Sequence, residues 1–364
     1  MHLILFFARG ISLKAWNEIG MFDREVALYK RLRDRGVSVS FVTYGNSDDL
    51  YYRECLPGIK ILCNRWGLPD SIYRRFLHII HAKALKTCDL IKTNQMNGAD
   101  VVLRCAQFWR KPLICRMGYM WSEFVNYENG SVEKVKQLEN NLFRSADRII
   151  VTTNEMRENI LERIPDSKAK TSVVPNYVET DRFTLNTDML KEFDILFVGR
   201  LSPQKNVSAL LTALSDLDIK AIIIGNGELR DELQSQFGDL NGKVSWQRNI
   251  PNSKLPAMMN RSRIFILPSH YEGHPKTLIE AMSCGMSVIG ADSPGIREII
   301  RHGENGWLCG TDVESIGKAI RKLLKDPALA QRFGDNARKF VLQNYALEDI
   351  VEKELQIIKD VAIT

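Results

Sequence analysis

Three short stretches place charged residues just beyond an apolar run that ends in glycine, where a small ligand would meet the backbone. The first is Phe197-Val198-Gly199-Arg200-Leu201-Ser202-Pro203-Gln204-Lys205-Asn206. Gly199 lets a ligand approach the carboxyl end of a strand, where open α/β sheets bind their ligands. Arg200 and Lys205 add two cations beside a helix expected to begin near Asn206, a setting suited to pyrophosphate. The second is Ile222-Ile223-Ile224-Gly225-Asn226-Gly227-Glu228-Leu229. Arg230 stands where a dinucleotide fingerprint has its third glycine, so Gly225 and Gly227 read equally well as a tight turn or as phosphate contacts.

The third stretch runs from Pro268 to Gly285 and is the most specific. A strand over Ile264–Leu267 feeds a loop carrying Glu272, and a helix is expected from about Pro275, with Glu280 four to five residues into it. Acids beside Leu278, Ile279 and Met282 are costly to bury without hydroxyl partners. Two of them, able to reach opposite ends of one ligand, suggest sugar hydroxyls. His274 reads as a sugar or phosphate contact or as part of the helix start. Lys276 would add positive charge near a diphosphate.

The elements that position these residues follow from apolar periodicity. In the first half, strands are expected at His2–Phe7, Val37–Thr43, Ile59–Cys63, Leu90–Thr93, Leu113–Arg116, Arg148–Thr152 and Thr171–Val174. A second series is expected at Asp194–Val198, Ile219–Ile224, Lys243–Trp246, Ile264–Leu267 and Ser287–Gly290. Segments of helical period separate them, the signature of parallel α/β layers. Turn residues after Val174 mark a linker near 175–190. A final amphipathic helix is read from Leu347, Val351, Leu355, Ile358 and Ala362. The expected division is residues 1–178, 179–340 and a C-terminal helix in 341–364.

A chain of 364 residues suits two α/β domains. The net charge of +6 is uneven: residues 1–182 hold 28 Lys and Arg against 21 Asp and Glu, and the rest 22 against 23. The first half therefore either faces an anionic surface (phosphate-bearing acceptor, acidic glycan or inner-leaflet lipid) or is simply a solvated basic face. Nucleic acid is not an expected partner. The seven cysteines are scattered, with no Cys-x-x-Cys pair, and read as reduced thiols of a cytosolic protein. The opening Met1-His2-Leu3-Ile4-Leu5-Phe6-Phe7 lacks a basic leader region and a small-residue cleavage site, so it reads as a buried strand.

Taken in order, "VPNYVETDRF", "ILFVGRLSPQKN", "IIIGNGELRDEL", "EGHPKTLIEAMSCGMSVIGAD", "GIREII" and "GENGWL" resemble the retaining GT-B glycosyltransferases of glycosyltransferase family 4. The resemblance implies two Rossmann-like domains with parallel sheets facing across a cleft and a C-terminal helix packing back toward the first domain. It implies transfer of a sugar from a UDP- or GDP-linked donor to a glycan, lipid-linked or other glycoconjugate acceptor in cell-surface polysaccharide biosynthesis. Arg200 and Lys205 would grip the diphosphate and Glu272 would approach the transferred sugar. Glu280 would bind ribose. Amides of His274, Lys276, Thr277 and Leu278 would surround sugar and phosphate, and the base would lie near Gly225, Gly227 and the loop from Arg248. No metal or other cofactor is expected, since fixed cations and a helix dipole would neutralise the leaving diphosphate. The enzyme is expected in the cytoplasm or peripherally on the inner face of the plasma membrane, as a monomer or homodimer.

The first half departs from the family pattern. Gly10 or Gly20 would replace the usual glycine pair after the first strand, unless both are ordinary turns. Arg116-Met117-Gly118-Tyr119 stands where many relatives carry a histidine, making Arg116 and Tyr119 candidate cleft residues; Arg116 also reads as a strand-end cap paired with Glu123. The run Tyr73–Lys83 forms a basic amphipathic helix that faces either a core or an anionic membrane, with His78 and His81 expected at the surface. Two other readings compete. A non-catalytic nucleotide-sugar-binding relative would have no need of the complete Arg200, Lys205, Glu272 and Glu280 set. A nicotinamide dehydrogenase would need a full Gly-x-Gly-x-x-Gly with an acid ~20 residues later.

Overall fold

The computed structural model describes residues 1–127 and 131–363. They form two compact units, Met1–Pro175 with Glu348–Thr364, and Asn176–Leu347. The divisions expected from the sequence are at 178 and 341. Val178 exchanges backbone hydrogen bonds with Tyr345 and Leu347, at 2.9 and 3.1 Å, which ties the linker to the turn after the helix Pro327–Asn344 within the second unit.

In the first unit, β1 (His2–Phe6), β2 (Ser38–Val42), β3 (Ile59–Leu62), β4 (Leu90–Thr93), β5 (Leu113–Arg116), β6 (Arg148–Val151) and β7 (Thr171–Val173) make one parallel sheet in the order β3-β2-β1-β4-β5-β6-β7. These strands read as nearly continuous apolar runs because helices cover both faces of such a sheet. Ile4, Phe6, Ile91, Cys115 and Ile149 are fully buried and pack with Leu77, Val102 and Phe143 from the helices. A short helix, Leu13–Glu18, precedes the expected first helix; Ser12 caps it by accepting from the Ala15 amide, and Trp16 stacks on Phe7 at 4.0 Å.

The last helix, Leu347–Ile363, belongs to this unit from Glu348 onward. Its buried side holds Ile350, Val351, Leu355, Ile358 and Val361, whereas Ala362, expected in the stripe, is exposed. The same side carries Glu354, which accepts from Lys92 Nζ of β4 at 2.6 Å with both side chains almost fully buried. Burial lowers the Lys92 pKa against the opposing pull of Glu354.

The second unit contains β8 (Phe193–Val198), β9 (Ala221–Ile224), β10 (Val244–Gln247), β11 (Ser262–Leu267), β12 (Ser287–Ala291) and β13 (Trp307–Cys309) in the order β10-β9-β8-β11-β12-β13, all parallel. The chain winds outward from β8 in one direction and from β11 in the other. Adjacent β8 and β11 therefore send their following loops to opposite sides, which opens a crevice at their carboxyl ends. Both units are thus α/β with parallel sheets, as expected; only β13, three half-buried residues, went unread. All seven cysteines are free. Among the described residues no helix is long and apolar enough to cross a membrane.

Candidate functional site

The crevice of the second unit is built from the loops that leave β8 and β11. After β8 the chain passes Gly199 and Arg200, makes a 3₁₀ turn over Pro203–Lys205, and enters the helix Val207–Ser215 through Asn206. Asn206 sits at φ +54, a conformation asparagine tolerates better than most residues. Its Nδ2 donates to the carbonyls of Thr311 (2.8 Å) and Pro268 (3.2 Å), tying the β8 loop to the end of β11.

This tie places Lys205 against Glu272. Lys205 Nζ donates to Glu272 Oε1 at 2.5 Å, with the side chains 16% and 8% exposed. Gln204 braces the β11 loop: its Nε2 donates to the Tyr271 carbonyl (2.7 Å), and its own carbonyl accepts from the His270 amide (2.9 Å). Beyond β12, the Pro294 carbonyl accepts from the Glu272 amide at 3.1 Å, and Ser293 Oγ donates to the Ser269 carbonyl at 2.8 Å. Gly295 presses close here: at φ +77, a Cβ would lie 2.1 Å from the Gly273 carbonyl oxygen. Glu272 is therefore held by backbone on two sides and by a cation on a third.

The other expected residues fall into distinct places. Arg200 is exposed and pairs with Glu228 at 2.9 Å, leaving its guanidinium at the rim. Glu280, in the helix Lys276–Ser283, is 1% exposed, and its Oε1 accepts from Asn252 Nδ2 at 2.9 Å. The structure thus joins Lys205 to Glu272 directly, whereas Arg200 and Glu280 engage residues of the β9 and β10 loops. Arg248 is exposed beyond β10. Burial and then the charge of Arg248 lower the pKa of Arg230, which donates to the carbonyls of Gly225 (2.5 Å) and Gln247 (3.2 Å) and so clamps the β9 loop to β10.

The glycines meet backbone. A Cβ on Gly225 would fall 1.9 Å from the Gly199 carbonyl oxygen, and one on Gly227 would fall 2.2 Å from that of Leu201. Both residues let the β9 loop lie flat against the β8 loop, which is the turn reading in a stricter form.

The helix Lys276–Ser283 starts at Pro275 without a side-chain cap or an acid in its first turn. A helix N-terminus of this kind favours an anion. The Leu278 amide, expected to face ligand, donates instead to the Pro275 carbonyl at 3.2 Å, because the first turn closes tightly. Thr277 is half-buried. Lys276 Nζ lies 5.6 Å from the centre of the Tyr177 ring. His274 is 5% exposed, its ring edge-on to Tyr345 at 4.9 Å and its carbonyl accepting from Asn176 Nδ2 at 2.7 Å. Those contacts give His274 a packing role at the helix start.

In the first unit, Gly10 (φ +78) turns the chain after β1 with open space around it. Gly20 (φ +77) accommodates the turn between the helices Leu13–Glu18 and Phe22–Asp34, so it lies one element beyond the strand end. Arg116, at the end of β5, donates from Nη1 to the Asn94 carbonyl at 3.2 Å; Glu123 accepts from Asn159 at 2.8 Å. The Tyr119 ring packs on Phe124 at 4.4 Å. His81, expected at the surface, is buried and bonded to the Tyr73 hydroxyl at 2.8 Å.

Gln204, Asn252, Ser293 and Gly295 are the positioning residues that the sequence motifs did not single out, and Arg230 is read from the sequence only as the residue that breaks the glycine fingerprint. Gln204 and Gly295 lie inside motif stretches, but nothing local shows which carbonyl each would meet.

Residues 179–340 match the family described as Glycosyl transferases group 1, and residues 26–182 match Glycosyltransferase Family 4. A glycogen synthase from Mycobacterium tuberculosis is 24% identical over 281 residues, covering 74% of this chain and 68% of its own. A UDP-Gal:alpha-D-GlcNAc-diphosphoundecaprenol alpha-1,3-galactosyltransferase from Escherichia coli is 29% identical over 266 residues, 66% of each chain. Among solved structures, HepE of Anabaena in complex with UDP superposes with a TM-score of 0.80 at 18% identity, covering 99% of this chain and 100% of that one.

Proposed function

We propose, from the premise that this chain belongs to the GT-B glycosyltransferases, that it transfers a sugar from a nucleotide diphosphate, UDP- or GDP-linked, to a glycan or lipid-linked acceptor with retention of anomeric configuration. The observation that carries this reading is the Lys205–Glu272 pair at the carboxyl ends of β8 and β11. It offers a cation for a diphosphate and a carboxylate for sugar hydroxyls within one crevice, beside the uncapped helix start at Lys276. Relatives that bind UDP or use UDP-galactose support the choice of donor class.

In this reading the diphosphate lies between Lys205, Arg200 and the first turn of the helix Lys276–Ser283. When donor enters, the Lys205 ammonium exchanges part of its bond to Glu272 for phosphate oxygens, freeing the carboxylate to accept from the sugar. Glu280, oriented by Asn252, accepts from ribose hydroxyls. The base stacks near the loop at Arg248. The C1–O bond to the β-phosphate breaks as the acceptor oxygen bonds C1 from the same face, and the acceptor proton passes to a phosphate oxygen of the leaving group. The positive groups and the helix dipole stabilise the charge on that leaving group without a metal ion.

The test is a paired thermal-shift and hydrolysis screen against UDP-, GDP-, ADP- and CMP-sugars. One nucleotide class is expected both to raise Tm and to be turned over. Stabilisation without turnover across all acceptors tried would favour a non-catalytic nucleotide-sugar-binding protein.

A further inference from the structure

A cavity of roughly 370 Å³ lies at the outer edge of the first unit's sheet. It begins just past the carboxyl end of β3, at Cys63, and runs along that edge strand toward His2, at the amino end of β1. The 3₁₀ segment Ser47–Arg53 and the consecutive helices Asp70–Ile80 and Ala82–Thr87 border it. β2 separates β3 from β1 and β4, the neighbours at which the winding of this sheet changes direction. The cavity therefore stands apart from the crevice of that switch point.

Its lining is cationic, with one buried acceptor. Arg53, Lys60, Arg65 and Lys83 line it; all four are exposed, and among the described residues none is ion-paired. No acidic side chain belongs to that lining: Glu54, next to Arg53, is exposed outside it, and Asp89 accepts from the His2 amide at 2.6 Å. His81 lines the same cavity from the joint between the two helices and is 8% exposed.

The tautomer of His81 is fixed by its partner. The Tyr73 hydroxyl lies 3.0 Å from the Thr43 carbonyl and 2.8 Å from His81 Nε2. A carbonyl only accepts, so the single hydroxyl proton goes to Thr43, and Nε2 carries the proton that reaches Tyr73. Burial, and then the charge of Arg65, lower the His81 pKa to about 4, so the ring is neutral near neutral pH. Nδ1 is then a bare lone pair, and among the described residues nothing donates to it. A neutral acceptor among unpaired cations suits a ligand that carries both a hydroxyl and an anion. The volume suits a small molecule, and the exposed Trp66 ring, with the Arg65 guanidinium 4.3 Å from its centre, suits a cyclic one.

We propose that this cavity is a second binding site, for a sugar monophosphate. The cations hold the phosphate, His81 Nδ1 accepts from a sugar hydroxyl, and Trp66 lies against the C–H face of the ring. The site belongs to the first unit, whereas the donor crevice belongs to the second, and it does not depend on sugar transfer there.

Calorimetry on the full chain tests it, with mannose 6-phosphate, mannose, sulfate and glycerol 3-phosphate as probes. Mannose 6-phosphate should bind at least about tenfold more tightly than each of the others. Arg65→Gln with Lys83→Gln should weaken it by about thirtyfold, and His81→Phe by about tenfold, with circular dichroism checking that each variant is folded. The unaltered chain reports on the histidine directly. In ¹⁵N spectra, His81 Nδ1 should be unprotonated in the free protein and should shift when mannose 6-phosphate is added. Equal binding of sulfate or of glycerol 3-phosphate would overturn the proposal, as would an Nδ1 that is protonated or unmoved. Conversion of mannose 6-phosphate to a glycosylated product would make it an acceptor and overturn the second-site assignment.

Discussion

Lys205 Nζ and Glu272 Oε1 stand 2.5 Å apart, although 67 residues separate them in the chain. Parallel pairing of β8 with β11 brings their carboxyl ends together, so residues of the two loops that leave them in opposite directions meet across the crevice. A carboxylate so little exposed depends on its cation.

Lys205→Ala should therefore destabilise the second unit by about 1–3 kcal/mol, because Glu272 keeps its burial but loses its charged donor. Adding Glu272→Gln should recover most of that loss. Urea unfolding of both single variants and the double variant gives the coupling, expected at about 1–3 kcal/mol. Calorimetry on Lys205→Ala should also show weaker nucleoside diphosphate binding, by roughly ten- to a hundredfold.

The glycines of the two units should respond differently to alanine. Gly225→Ala drives a methyl into the Gly199 carbonyl, 1.9 Å away, and should cost about 1–3 kcal/mol or more along with donor affinity. Gly10→Ala meets open space and bears only the penalty of a positive φ, about 1 kcal/mol. Unfolding midpoints of the two variants check the contrast.

Most of the framework was legible in the sequence because parallel strands covered on both faces are apolar runs, and turn residues punctuate them. Ile222-Ile223-Ile224-Gly225 is an example. What stayed hidden was pairing between distant segments. Asn252 carries no local sign that it will meet Glu280, nor does Lys92 reveal that it will be neutralised by Glu354 in the last helix. His81 was misplaced for a different reason. The helix ends at Ile80, and His81, at φ −104 and ψ 23, breaks the period before the next helix begins at Ala82. Continuing one helical wheel through that break puts a buried residue on the wrong face.

That histidine predicts a pH effect. Burial, and then the charge of Arg65, lower the His81 pKa from 6.5 to about 4. The unfolded chain binds the proton more readily, so His81 does not penalise folding above about pH 6.5 and opposes it progressively as pH falls toward 4. The loss should approach roughly 3 kcal/mol. Urea midpoints across this range should drop with pH, and His81→Gln should flatten the slope.

The buried Lys92–Glu354 pair predicts an asymmetric double-mutant result. Lys92→Met alone leaves a buried carboxylate and should cost about 3–5 kcal/mol, loosening the C-terminal helix. Lys92→Met with Glu354→Leu should be near neutral. Limited proteolysis at the C terminus, followed by mass, reports the difference.

The most direct test of the central claim is turnover by Glu272→Gln, measured beside its affinity for the nucleoside diphosphate. If the Glu272 carboxylate engages the transferred sugar while Lys205 holds phosphate, sugar transfer should fall by about a hundredfold or more, with nucleoside diphosphate affinity retained. Full turnover in Glu272→Gln would contradict the assignment of this crevice as the site of sugar transfer.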